Sequence, residues 1–122
     1  VKFKQSKILG VLFSACDQFL LNIAFAECWI ENCNFSNLNL NKTSFQECKM
    51  TENDFLDVQL VSCKFNGSIL SGNVFHHCNL SKADFSDAEG YQINPQNNSL
   101  KKAIFTLPGV IGLVRHLDII VK

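Results

Sequence analysis

Six cysteines, three histidines and several close-set acids are the groups in this 122-residue chain that could do chemistry. An even set of thiols in a secreted chain would build a disulfide framework, and five Asn-x-Ser/Thr sequons, at Asn34, Asn41, Asn66, Asn79 and Asn97, point the same way. His76-His77-Cys78 is the cluster that could hold a metal, and Asp54 with Asp57 is the kind of acid pair used in general acid and base catalysis. No CxxC pair, HExxH, phosphate-binding glycine loop or nucleophile elbow accompanies them. Their use depends on which of them the backbone brings together, and spacing decides that.

The spacing is a strict five. Leu20, Phe25, Ile30, Phe35, Leu40, Phe45, Met50, Phe55, Leu60, Phe65, Leu70, Phe75, Leu80 and Phe85 form an unbroken apolar series. An amphipathic helix repeats at 3.6 residues and a half-buried strand at two, so neither element explains it and a repeat architecture does. The skew to eleven Phe beside one Trp, one Tyr and one Met has the same origin. Two residues before each centre runs a second series of mostly small or medium side chains: Ile23, Cys28, Cys33, Leu38, Thr43, Cys48, Asn53, Val58, Cys63, Ser68, Asn73, Cys78 and Ala83. Polar residues fill most other slots, as expected if two positions in five face inward and three face water.

Units such as Ala83-Asp84-Phe85-Ser86-Asp87 and Cys33-Asn34-Phe35-Ser36-Asn37 resemble the pentapeptide-repeat family. The resemblance implies an all-β solenoid, a right-handed quadrilateral β-helix of about five coils, with one pentad per side and twenty residues per turn. On such a square the alternation of Phe and aliphatic centres predicts two opposite Phe faces. Phe25, Phe45, Phe65, Phe85 and Phe105 make one, and Phe35, Phe55 and Phe75 the other. Leu20, Leu40, Leu60 and Leu80 share a third side, and Ile30, Met50 and Leu70 the fourth. Coils should lie about 4.8 Å apart, close enough for rings to stack.

Residues 1–107 are thus expected to form the solenoid. Phe3, Ile8 and Phe13 keep the step upstream, but Leu20 follows Phe13 by seven residues, which predicts a two-residue bulge near Cys16-Asp17. The start at Val1, with repeats so close to it, predicts a piece of a longer chain with coils upstream. Gly90 and Pro95 take centre positions, so residues 89–98 should be irregular before Leu100 and Phe105 restore the register. Residues 108–122 should cap the core. Pro108 with Val110, Ile111, Leu113, Val114 and Leu117 reads as a helix of about ten residues, and Ile119, Ile120 and Val121 as a strand in need of a partner. A two-fold homodimer through this segment is the expectation. The ending also resembles that of the quinolone-resistance (Qnr) group, in which it makes the dimer.

The five-residue rhythm reassigns the chemistry. Cys28, Cys33, Cys48, Cys63 and Cys78 all fall in the small inward slot, where a reduced thiol is a compact apolar group. His76 and His77 point outward and Cys78 inward, so they do not converge on a metal. The sequons follow from a repeat rich in Asn and Ser, and Asn53 and Asn73, twenty apart, should form an internal amide ladder. No enzyme activity, cofactor or metal is expected.

Eleven basic residues balance eleven acidic ones, so no global field calls for nucleic acid, and no apolar run reaches the roughly 18 residues of a membrane span. No direct nucleic-acid contact, no membrane and a cytoplasmic location are expected. Residues 18–87 nevertheless carry eight acids against four lysines, and Glu27, Glu47, Asp84 and Asp87 should lie along one Phe face. The family resemblance turns that face into a mimic of the DNA phosphate backbone, with DNA gyrase or topoisomerase IV as partner and quinolone protection as outcome. The alternative is a plain scaffold for another protein, or a module of a larger chain.

Overall fold

The computed structural model, which describes residues 2–15, 23–115 and 117–122, winds as a four-sided parallel β-helix. Its strands are only two or three residues long: β1 (Lys2–Lys4), β2 (Lys7–Leu9), β3 (Ala24–Ala26), β4 (Trp29–Glu31), β5 (Ser44–Gln46), β6 (Lys49–Thr51), β7 (Asp54–Leu56), β8 (Val74–His76), β9 (Asp84–Phe85) and β10 (Ile104–Phe105). Each pairs with a strand one coil away, in the orders β1-β3-β5, β2-β4-β6, β7-β8 and β9-β10. Single parallel bridges such as Asn39 to Gln59 and Gln59 to Asn79 carry the side that has no named strand.

Partners lie twenty residues apart, as with Phe25 and Phe45, Ile30 and Met50, Phe55 and Phe75, and Phe85 and Phe105. The first turn is longer. Phe3 pairs with Phe25 and Ile8 with Ile30, an offset of 22. The two additional residues therefore fall between Leu12, which bridges Asn34, and Ala24. The bulge position at Cys16-Asp17 and the core position Leu20 lie outside the described residues.

A pentad makes one side because the residue two beyond each centre turns the corner in the left-handed region. Glu27 (φ 55°), Asn37 (62°), Lys42 (65°), Lys82 (61°) and Asp87 (59°) do so, as do Gly10, Gly67 and Gly72. A left-handed backbone costs a non-glycine residue roughly 1–2 kcal/mol. The cost is offset by the ladder: corner N–H groups donate to the next coil, Glu27 to the Gln46 carbonyl (3.0 Å), Lys42 to Val61 (2.8 Å) and Lys82 to Lys101 (2.9 Å).

Inside, the two Phe columns run the length of the coil. Centroid separations are 5.5, 5.1, 5.2, 4.9 and 5.0 Å along Phe3, Phe25, Phe45, Phe65, Phe85 and Phe105. Phe13, Phe35, Phe55 and Phe75 stack at 4.6, 4.9 and 4.9 Å. The columns meet edge to face, as in Phe45 against Phe55 at 6.3 Å and 87°, which are the two geometries that aromatic quadrupoles favour. Leu40, Leu60, Leu80, Ile30, Met50 and Leu70 fill the other two sides and are fully buried.

Residues 89–98 hold no strand or helix, yet Tyr91 and Ile93 within them are buried, and the Tyr91 ring lies 5.4 Å from Phe85 and 5.8 Å from Phe105, plugging the core. Beyond them the C-terminal end differs from expectation in two respects. The expected ten-residue helix is a five-residue 3-10 helix, Gly109–Leu113. Two glycines and the β-branched Val110 and Ile111 are poor helix formers, and the segment is held by its seat instead. The Ile93 N–H donates to the Gly112 carbonyl (3.1 Å), and a Cβ on Gly112 would collide with the Tyr91 carbonyl oxygen. Residues 118–122 form no strand, because a strand exists only by pairing and no described strand pairs with them.

Candidate functional site

The chemically capable groups are distributed by the coil as structure or as surface. Cys28, Cys33, Cys48, Cys63 and Cys78 are free thiols buried in the inward slot. The S–H groups of Cys28, Cys33, Cys63 and Cys78 face backbone carbonyls of the preceding coil, as Cys63 on Leu40 and Cys78 on Phe55, and that of Cys48 faces the Gln46 carbonyl. Burial pushes the Cys48 and Cys63 thiols up to about 12, away from the thiolate that any nucleophilic, metal-binding or exchange chemistry needs.

Polar residues in the same slot do the same task more strongly. The Asn53 amide donates to the Ile30 carbonyl (3.0 Å) and to Asn73 Oδ1 (2.9 Å), while its own oxygen accepts the Cys33 N–H (2.9 Å). Asn73 donates to Met50 in turn (2.9 Å), and Ser68 Oγ accepts from Cys48 N–H (3.0 Å) and donates to Phe45 (2.6 Å). Asn98 repeats the pattern on the Cys78 N–H and Phe75 carbonyl, a role its place in the irregular stretch concealed.

On the surface, the His77 ring stacks on His76 at 3.9 Å and its Nδ1 lies 3.6 Å from Asp57, with both partners of that pair exposed. Asp54 stands on the side and Asp57 at the corner, and no described group of three His, Cys, Asp or Glu residues is placed to hold a metal ion. No described helix is long and apolar enough to cross a membrane.

Charge follows the corners. Glu27, Glu47 and Asp87 occupy one corner column, with Gly67 in the gap beneath the Glu47 carboxylate. Asp84 stands at the other margin of that side. Burial alone would raise its carboxyl, but hydrogen bonds from the Ser86 hydroxyl and N–H, with Asn66 and the Lys64 charge, hold it below its ordinary value. The next corner column carries Lys42, Ser62, Lys82 and Lys102. On a third side Trp29 lies between Lys7 and Lys49, whose ammonium groups stand 4.4 and 5.2 Å from the ring centroid.

At the C-terminal end Val110, Ile111, Leu113 and Val114 are half-buried, whereas Leu117, Ile119, Ile120 and Val121 are exposed. Leu107, Pro108, Val110, Leu113, Val114 and Val121 border an open apolar hollow of about 500 Å³.

A family model described as Pentapeptide repeats matches residues 28–67 and 54–89, together 62 of the 122 residues. Among solved structures, trypsin-treated QnrB1, described as a plasmid-mediated fluoroquinolone resistance protein, is similar at 20% identity and a TM-score of 0.38, with 84% of this chain and 57% of that one covered. The heterocyst-differentiation protein HetL from Nostoc sp. strain PCC 7120 is similar at 17% identity and 0.35, covering 73% and 37%. Rfr23 from Cyanothece 51142 is similar at 17% and 0.37, covering 88% and 82%. The chain spans 57% and 60% of the length of the first two QnrB1 structures. A search of curated proteins found no match.

Proposed function

The chain belongs to the pentapeptide-repeat family, whose members wind as right-handed β-helices, and on that premise we propose that it is a non-enzymatic binding protein: a stiff rod that presents side chains to another macromolecule. One observation carries this reading. The inward residues are locked in continuous columns, so the outward ones stand in columns of one-coil pitch, about 4.8 Å, and diverge rather than converge. Catalysis needs polar groups that meet around a reacting atom; a divergent, preorganised lattice suits docking.

The finer reading is a mimic of the DNA phosphate backbone that binds DNA gyrase or topoisomerase IV and protects it from quinolones, acting as a homodimer joined through residues 108–122. The row of Glu27, Glu47 and Asp87 along one corner favours it. The lysine column on the neighbouring corner favours the plainer alternative, a scaffold for a different protein partner. Purified gyrase separates the two. A mimic retains gyrase on an affinity matrix at low salt, releases it steeply as salt rises, and relieves quinolone-induced DNA cleavage. Absence of both retention and relief refutes the mimic and leaves the scaffold.

A further inference from the structure

A second column of like charge lies one corner from the carboxylate row, across the side that carries Asp84. Lys42, Lys82 and Lys102 share one corner column, Lys64 stands on the side just past it, and Lys101 on the side just before it. All five are exposed, and among the described residues none has a carboxylate within salt-bridge distance. The single acid beside them, Asp84, accepts hydrogen bonds from Ser86 and also feels the Lys64 charge, so Lys64 alone of the five is partly matched. Because successive coils are twenty residues apart, these ammonium groups fall at nearly successive coil heights. They form a line about 14 Å long, the axial rise of about four phosphates of one strand of duplex DNA.

The side adjoining this edge adds a column of amides and a hydroxyl, Asn39, Gln59, Asn79 and Ser99, linked by the ladder bridges. Lysine, asparagine, glutamine and serine are the side chains that contact phosphate and sugar. A protein partner would ask instead for a central aromatic or large apolar anchor; among the described residues the outward positions of this side offer only the half-buried Val61, and Ile104 on the other flank stands at the end of the strip, not at its centre. We propose that the Lys42–Lys102 edge is a sequence-independent docking strip for the phosphodiester backbone of a nucleic-acid duplex. Base-specific readout has no support here: among the described residues no aromatic ring stands on this edge to stack on a base, and no helix to enter a groove. A formal net charge of zero conceals the strip, because net charge averages over corners that the coil keeps apart.

The strip stands apart from the topoisomerase reading and survives its failure. Its test is fluorescence anisotropy of a labelled 20-base-pair duplex titrated with the full chain across a series of salt concentrations. Binding should be weak, with Kd of about 10⁻⁴–10⁻⁶ M, and a log–log salt slope of about −4.5 reflects five lysines on phosphate. Lys82→Gln with Lys102→Gln should flatten that slope by about 2, while Glu27→Gln leaves it unchanged; circular dichroism confirms that each variant is folded. Three outcomes overturn the proposal: no saturable binding at low salt, an unchanged slope in the lysine variant, or stronger binding to poly-glutamate than to the duplex. The last would assign the strip to an acidic protein.

Discussion

Phe55 and Asn53 sit two residues apart and hold the same coil by different physics. Phe55 is stacked at 4.9 Å on both Phe35 and Phe75, so Phe55→Ala should lower unfolding free energy by about 3–5 kcal/mol in urea titrations, whereas exposed Gln59→Ala should stay within about 0.5 kcal/mol. Asn53→Leu keeps the volume but orphans the Cys33 N–H, takes the amide donor from the Ile30 carbonyl and leaves Asn73 Oδ1 only the residue-53 N–H, and should cost at least about 2 kcal/mol. The thiols add a pH signature. Burial raises Cys48 and Cys63 from 9.0 to about 12 and Tyr91 from 10.0 to about 12, so the unfolded chain gives up these protons first. Their contribution is complete below about pH 9 and declines as pH climbs toward 12, the sign expected when the folded state retains protons that the unfolded state has lost. Urea midpoints measured upward from neutral pH should hold level and then fall, and Cys48→Ala with Cys63→Ala should shallow the fall. A flat profile in the parent chain would contradict the burial of these groups.

Among the elements, the sides were legible in the sequence and the end of the coil was not. A side is written five residues at a time, and Phe25, Phe45, Phe65 and Phe85 announce it by spacing alone. The cap is written once, in residues whose roles depend on what they face: Tyr91 fills the core from a stretch without periodicity, and Gly109 and Gly112, passed over by the apolar spacing that predicted a helix, are the clearance for a close seat. Corner chemistry was equally hidden, because Glu27, Lys42 or Asp87 does not by its type foretell a left-handed backbone. Two glycines separate clearance from conformation. Gly10 has φ +65° and open space within 4 Å of where a Cβ would stand, so Gly10→Ala should cost only the left-handed penalty of roughly 1–2 kcal/mol. Gly112→Ala needs no unusual φ but drives its methyl into the Tyr91 backbone, so the seat must open. The alanine at 112 should expose Tyr91, read as faster amide exchange at Ile93 and a change in tyrosine fluorescence, with the central coils unaffected. Protection at Ile93 equal to that of the parent would remove the cap from its assigned place.

At the scale of the whole molecule, the solenoid leaves an unmatched surface at its C-terminal end. Leu107 and Ile120 are each 84% exposed, more than any other described large apolar residue, and the exposed Leu117, Ile119 and Val121 lie in the same segment. Apolar surface of this kind, next to a segment with strand composition and no partner, is covered at least cost by the same segment of a second copy, since a two-fold axis supplies the missing edge to both chains at once. The short 3-10 helix sharpens the expectation, because it seals Tyr91 with Gly109–Leu113 and leaves residues 117–122 free of any duty to the core. Removing residues 118–122 should therefore convert a dimer to a folded monomer in sedimentation equilibrium while the thermal midpoint extrapolated to low concentration stays within a few degrees. Removing residues 108–122 should also unseal Tyr91 and lower that midpoint at every concentration. If the shorter truncation sediments as a dimer, the pairing surface lies elsewhere on the rod. If it aggregates instead, the tail covers its own core and the assignment of capping to Gly109–Leu113 alone is wrong.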